Sequence, residues 1–174
     1  EALVFDQDTD GTYAGTLSGT GSLTKTGAGQ LTLSAANPFS GNTALSAGGI
    51  TLGHSDTLQH STVALNSGTL SFGSLTTANL GGLEGDQDLA LTNGTATAVA
   101  LDVGGNNADT TYAGNLSGNG SLTKSGTGSL TLSGTSTYSG GTTLSAGTLT
   151  GNTGSLQGNI TNNGTLVFDQ GADG

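Results

Sequence analysis

Cysteine, methionine, tryptophan and arginine are all missing from these 174 residues, and Pro38 is the only proline. Without cysteine there is no disulfide framework and no thiol chemistry. That is consistent with a chain that must stay unfolded in an oxidising compartment before export, and cytosolic proteins can lack cysteine too. Charged side chains make up 8% of the chain: twelve acids stand against Lys25 and Lys124, giving a formal net charge of −10. A surface of that sign repels phosphate backbones and anionic lipid, which argues against nucleic-acid partners and membrane docking. No apolar run reaches the length of a membrane span. No signal peptide is visible, because Glu1 opens in mid-pattern, and the chain reads as a piece of something longer.

What fills the chain is small and polar. Glycine contributes 33 residues, and serine, threonine and asparagine supply most of the rest. Leucine, isoleucine, valine and phenylalanine make up about one fifth, near the boundary below which chains stay disordered. Arrangement, not composition, therefore decides between a flexible linker and a fold. The arrangement is repetitive. Residues 13–48 read YAGTLSGTGSLTKTGAGQLTLSAANPFSGNTALSAG, and residues 112–147 read YAGNLSGNGSLTKSGTGSLTLSGTSTYSGGTTLSAG. They align without a gap at an offset of 99, with 24 of 36 positions identical. Leu3–Gln7 and Leu166–Gln170 both read LVFDQ, so 164–174 looks like the start of a further copy. The copies keep their glycines and leucines and vary the small polar positions, as a fixed set of turns and inward contacts requires.

Apolar residues alternate with polar ones: Leu31/Leu33, Ile50/Leu52, Leu70/Phe72, Leu89/Leu91, Val99/Leu101, Leu130/Leu132 and Leu166/Phe168. A period of two places each pair on one face of a short strand. No segment shows helical spacing, so almost no helix is expected. Hairpin dipeptides are scarce, with Asn93-Gly94 and Asn163-Gly164 among them, too few to join this many strands in antiparallel pairs. Short strands with one apolar face and a long internal period point to a solenoid. With three strands per coil, a rung takes about 20–27 residues and 1–174 forms one segment of about seven rungs, ~35 Å tall. Leucines would line the inside, and threonine, serine and asparagine would form ladders outside.

The run Gly19–Gly48 carries G-x-G-S-L-T-K-x-G-x-G-x-L-T-L-S, then Asn37, Phe39, Gly41, Thr43 and Leu45–Ser46. Gly118–Gly147 repeats it, with Ser136 in place of the asparagine. This pattern resembles the passenger-associated transport repeat of autotransporters (the autotransporter-associated β-strand repeat). The resemblance implies an all-β, right-handed parallel β-helix. It implies a passenger secreted to the surface of a Gram-negative bacterium and held at the outer membrane by a C-terminal translocator barrel outside this sequence. It also implies repeats that assist export by folding outside the cell.

Chemistry is sparse. His54 and His60 stand six apart in a polar segment with no third metal ligand at suitable spacing, and read as exposed loop residues. No serine sits in a nucleophile-elbow context with an identifiable base. The basic groups of β-helical polysaccharide lyases are missing, and fold alone is no warrant for that activity. Asp6, Asp8 and Asp10 in DQDTDG match the first half of an EF-hand loop, but the twelfth position is Leu17 instead of a bidentate glutamate. They form a weak calcium candidate and more simply an acidic turn, and no cofactor is expected. Phe5/Phe168, Tyr13/Tyr112 and Phe39/Tyr138 are repeat-equivalent and expected to pack corners or core, and Lys25 and Lys124 to share one structural environment on different rungs. The expected function is a non-enzymatic surface rod for adhesion or self-association, with a host or cell-surface ligand. The alternative is a folding and secretion spacer for a catalytic cargo elsewhere.

Overall fold

The computed structural model describes residues 1–171. Among them there is no helix, and nineteen short strands follow one another. In chain order they are β1 (Ala2–Asp6), β2 (Gly11–Tyr13), β3 (Ser22–Thr26), β4 (Gln30–Leu33), β5 (Thr43–Leu45), β6 (Gly49–Leu52), β7 (Leu58–Leu65), β8 (Thr69–Ser71), β9 (Thr77–Gly85) and β10 (Leu89–Ala90). They continue with β11 (Ala100–Val103), β12 (Thr110–Tyr112), β13 (Leu116–Ser117), β14 (Ser121–Lys124), β15 (Ser129–Leu132), β16 (Thr142–Leu144), β17 (Thr148–Gly151), β18 (Ile160–Asn162) and β19 (Thr165–Phe168). Every pairing between them is parallel, so the chain coils and each turn lies on the one before.

Three faces carry the ladders. The first holds β1, β3, β5, the ends of β7 and β9, then β12, β15, β17 and β19. The second begins with β2, β4, β6 and β8 and resumes at β10 and β13. Between those two sets Gly94 N–H donates to Gly73 O at 2.7 Å. The third starts as irregular chain, where Phe39 N–H donates to Leu17 O at 3.3 Å. It becomes regular through the starts of β7 and β9 and then β11, β14, β16 and β18. The strands β7 and β9 turn a corner and serve two faces, with a register shift between Leu58 and Thr62.

Ala2 faces Ser22, Leu23 faces Thr43, Thr43 faces Val63 and Val63 faces Leu83. The numbering therefore advances by 20 per turn, the separation that also divides Asp8 from its hydrogen-bond partner Ala28. This lies at the short end of the range expected from the sequence, and it gives about eight turns instead of seven. Alternation does the rest. In β4, β14, β15 and β17 inward residues are buried and outward ones half-exposed in strict sequence, and the buried leucines, valines and aromatics form one continuous core.

One turn is longer. Gly85 pairs with Tyr112, and across the same turn Asn115 N–H reaches Asp88 at a sequence separation of 27. The excess lies in two loops. Asn93–Thr97 is a small antiparallel excursion closed by the Thr92–Ala98 bridge, so the Asn-Gly dipeptide makes a local hairpin after all. The other loop, Gly104–Asp109, occupies a corner. Each loop contains one of the two non-glycine residues with positive φ, Ala96 (58°) and Asn107 (60°). The consequence is large. In the first repeat SLTK forms β3 on the first face, whereas in the second the same residues form β14 on the third face. The two copies are turned by one face relative to each other, although their sequences align without a gap.

The corners bring main chain onto main chain. Gly126 has φ +66° and passes over the carbonyl of Gly104, where a Cβ would collide with that oxygen. Gly19 has φ +99° with open space around it. Gly126→Ala is therefore expected to combine backbone strain with collision and lower stability by about 1–3 kcal/mol in urea denaturation. Gly19→Ala carries only the strain. Equal losses for the two variants would show that the close approach of turns is not what requires glycine at position 126.

Candidate functional site

The acidic turn of the sequence forms the corner between β1 and β2. Asp6 Oδ1 accepts from Thr26 Oγ1 at 3.0 Å, Asp8 Oδ1 from Ala28 N–H at 3.1 Å and Asp10 Oδ1 from Gln30 N–H at 2.8 Å. Each acid caps a different group of the next turn. The second repeat reproduces the same three contacts. Ser125 Oγ donates to Asp102, Thr127 N–H donates to Asn107 Oδ1 at 2.8 Å, and Ser129 N–H donates to Asp109 Oδ1 at 2.7 Å. Asparagine stands where Asp8 stood, keeping the acceptor and dropping the charge. A hydrogen-bonded corner requires that much and no more. Among the described residues no three histidine, cysteine, aspartate or glutamate side chains converge as a metal site would need.

The lysines are fully buried, a rare state for that side chain unless it is partnered. Lys25 Nζ donates to Gly27 O at 2.9 Å, and to Thr26 O as well. Lys124 Nζ makes the matching pair of bonds to Ser125 O and Gly126 O. The stem lies along the leucine core and the ammonium fills the corner, where a left-handed glycine (Gly27 or Gly126) turns carbonyls inward. The local environments match, as the repeat implies, but they lie on different faces. Burial pushes the Lys124 ammonium below the ordinary lysine value, against the pull of Asp102 and Asp109. Nothing in the composition marks these lysines as interior. The available signal was their fixed place between alternating Leu positions and a glycine.

Asparagine and serine cap the irregular stretches. Asn37, buried, accepts from Leu17 N–H at 2.8 Å and donates to Thr57 O at 3.1 Å, while Ser136 Oγ accepts from Leu116 N–H at 3.1 Å. Substitution of Asn by Ser preserves the contact to the preceding turn. The aromatics are divided. Phe39, Phe72, Tyr112 and Tyr138 are buried, and Phe5 meets Tyr13 edge-on at 5.5 Å. Phe168 is 51% exposed because β19 has no neighbour on its far side. Tyr112 OH donates to Gln87 O at 2.5 Å. Burial raises its pKa, and Asp88 and Asp86 add to the effect.

His54 and His60 are both exposed. His54 Nδ1 accepts from Asp56 N–H at 3.1 Å within its own loop. His60 lines a shallow groove of about 250 Å³ with Asp102 and Ser125. Sequence spacing did not foresee that group, because its members come from three different turns, with β9 stacked between those of His60 and Asp102. It is not a hydrolytic relay, since Ser125 donates to Asp102 and no imidazole stands between them to act as base.

Hydroxyls line part of each face. Outward residues stack as Thr12–Thr32–Thr51–Ser71 on the second face. Thr111–Thr131–Thr150 continues the pattern on the first face, and Thr123–Thr143–Thr161 on the third. Threonine suits this role because its branched Cβ favours strand while its hydroxyl faces water. The result is three flat rows of donors and acceptors.

Comparisons with known proteins fit this geometry. Residues 23–52 and 122–150 match the passenger-associated-transport-repeat family. Over 178 residues the chain is 42% identical to the adhesin BmaC autotransporter of Brucella suis biovar 1 (strain 1330), covering 92% of this chain and 5% of that protein. The chain thus spans about one twentieth of that relative's length. No solved structure matches it.

Two outcomes test the corner chemistry. Lys124→Met keeps the bulk of the stem and leaves two carbonyls without their donor. A loss of about 1–3 kcal/mol in urea denaturation is expected, and an unchanged midpoint would make the ammonium dispensable. The Asp109 carboxyl is held below the ordinary value of 3.8 by the Ser129 backbone N–H first and the Ser129 hydroxyl second. Its stabilising effect is present above that value and is lost as acid protonates the folded form. Asp109→Asn should therefore lose stability less steeply than the parent below pH 3.8. Parallel pH profiles would contradict the assignment.

Proposed function

We propose that this chain, which carries two matches to the passenger-associated-transport-repeat family, is a rigid, non-catalytic stalk of an autotransporter passenger whose hydroxyl rows serve adhesion or self-association. Passengers of this family are displayed at the Gram-negative cell surface, outside the outer membrane, and this segment shares that place. The observation that carries the reading is the parallel ladder on the first face, which runs from β1 to β19. At ~4.8 Å per turn it makes a straight rod about 38 Å long. Asp6, Asp8, Asp10, Asp102 and Asp109 bond one turn to the next, and Lys25 and Lys124 cap carbonyls of their own corners.

Many weak hydroxyl contacts on a flat face add up when a surface presents many rods, which suits a partner that is itself extended and polar. The name of the relative, an adhesin, agrees with that use. The same architecture favours export. Each turn contacts its immediate neighbours, so folding can begin at an emerging end and advance by local steps. A translocator barrel at the C-terminus of the parent chain would be the partner in that process.

The test is removal of Leu3–Thr165 from the full-length parent, with surface display measured in parallel. Adhesion or cell aggregation is expected to fall severalfold at unchanged display. Full adhesion at equal display would end the contact role and leave a spacer. The export reading predicts that the isolated chain refolds unaided with a single cooperative β-type transition, and a chain that stays unfolded on dilution from urea would sink it.

A further inference from the structure

The groove beside His60 is walled by the Gly104–Asp109 loop of the long turn, which reaches back across a whole turn of the stack. Asn106 Nδ2 donates to Thr62 Oγ1 at 2.8 Å over a sequence separation of 44. A Cβ on Gly105 would stand 2.6 Å from Gln59 O, so a side chain there would collide with that strand. The loop is tied to the turn between them as well. Gly104 N–H donates to Leu80 O at 3.1 Å, and Asn106 N–H to Gly81 O at 3.2 Å. A wall fixed in this way needs little further ordering when a ligand settles against it. Leu80, itself buried, also lines the groove.

Polar groups around the groove keep hydrogen-bonding capacity that equivalent groups elsewhere have used. Gln7, Gln30, Gln87, Gln157 and Gln170 each bond a neighbouring group through the side-chain amide. Among the described residues, Gln59 is the one glutamine whose amide bonds nothing, and the His60 imidazole next to it bonds nothing either. Asn79 commits Nδ2 to Asp56 Oδ1 at 2.5 Å and retains its Oδ1. Asp102 commits Oδ1 to the Ser125 hydroxyl and retains Oδ2. Asn79 and Asp102 are register partners on β9 and β11, so the two residues sit one turn, ~4.8 Å, apart.

This set both gives and accepts hydrogen bonds: an amide, an imidazole, an amide carbonyl and a carboxylate. A run of alcohol groups asks for that mixture. Charge points the same way. The Asp102 carboxylate and the buried Lys124 ammonium attract each other, so a cationic ligand meets a carboxylate that is already countered. An anion meets that carboxylate and a molecule of net charge −10. The groove volume of about 250 Å³ falls below the ~300–1,000 Å³ of sites for drug-sized ligands, which limits the occupant to one ring. We propose that this groove binds a single neutral sugar ring of a glycan, with adjacent hydroxyls on Asn79 and Asp102 and the ring edge held by Gln59 and His60. This goes beyond the stalk reading. It is one site at one level of the rod, and contact through the hydroxyl rows stands or falls without it.

The two histidines supply separate reporters for the test. Methyl α-glycosides of glucose, galactose and mannose are titrated into the chain, and the imidazole signals of His60 and His54 are followed by NMR. With at least one of the three, His60 is expected to move saturably with a Kd on the order of 1–10 mM, while His54, in its own loop, stays still. Acetate and methylammonium at matched pH and ionic strength are expected to leave His60 in place. Gln59→Ala removes a side chain that ties no turn to another. Its urea midpoint is expected to match the parent, and its affinity for the glycoside to fall about 3–10-fold, as for one lost hydrogen bond. Three glycosides without effect on His60, or both histidines moving alike, would overturn the proposal. So would acetate or methylammonium moving His60 as far as the glycosides do, or a folded Gln59→Ala variant that binds as tightly as the parent.

Discussion

Each turn of this protein must present its main-chain N–H and C=O groups to the turn before it and the turn after it. Buried backbone groups without partners are costly, and along the ladders the partner lies one turn away in the stack. That single condition explains the length of the turn, the glycines at the corners and the parallel sense of the strands. It also explains why side chains with hydrogen-bonding capacity are used where they are. Asp8, Asp10, Asn37 and Asn107 each serve a backbone N–H of an adjoining turn that irregular chain would leave unpaired.

The same condition accounts for the two lysines. A left-handed glycine corner turns two carbonyls toward the core, and a lysine stem is long enough to lie with the leucines and still deliver a donor there. The chain otherwise keeps its charge outside. Most acids of the described residues lie at corners and in loops, and threonine and serine rows run along part of each face. A rod built in this way uses many of its polar side chains to hold turns together, which agrees with a passenger segment.

Insertion in a solenoid does more than lengthen a loop. The two loops containing Ala96 and Asn107 add about a third of a turn and rotate everything after them. The second repeat consequently shows its SLTK strand on a different side of the rod from the first. Equivalent residues thus keep their local contacts and change the direction in which they point, and sequence periodicity and spatial periodicity part company. They meet again at LVFDQ, where the shorter final turns restore the phase.

Much of this was legible beforehand. Alternating leucines with threonine between them determined the strands, and the near absence of hairpin dipeptides determined their parallel stacking. The shared motif placed the chain in its family. These are local properties, set by the period of two and by the turn chemistry of glycine. The sequence also grouped Asp6, Asp8 and Asp10 in one motif, but not their separate targets one turn on. Three matters lay beyond it because they depend on how turns add up along the axis. The burial of Lys25 and Lys124 follows from carbonyls supplied by a corner. The grouping of His60, Asp102 and Ser125 follows from the stacking of separate turns. The rotation between the repeats follows from the summed length of all the loops between them, a quantity that no single motif carries and that only the assembled coil decides.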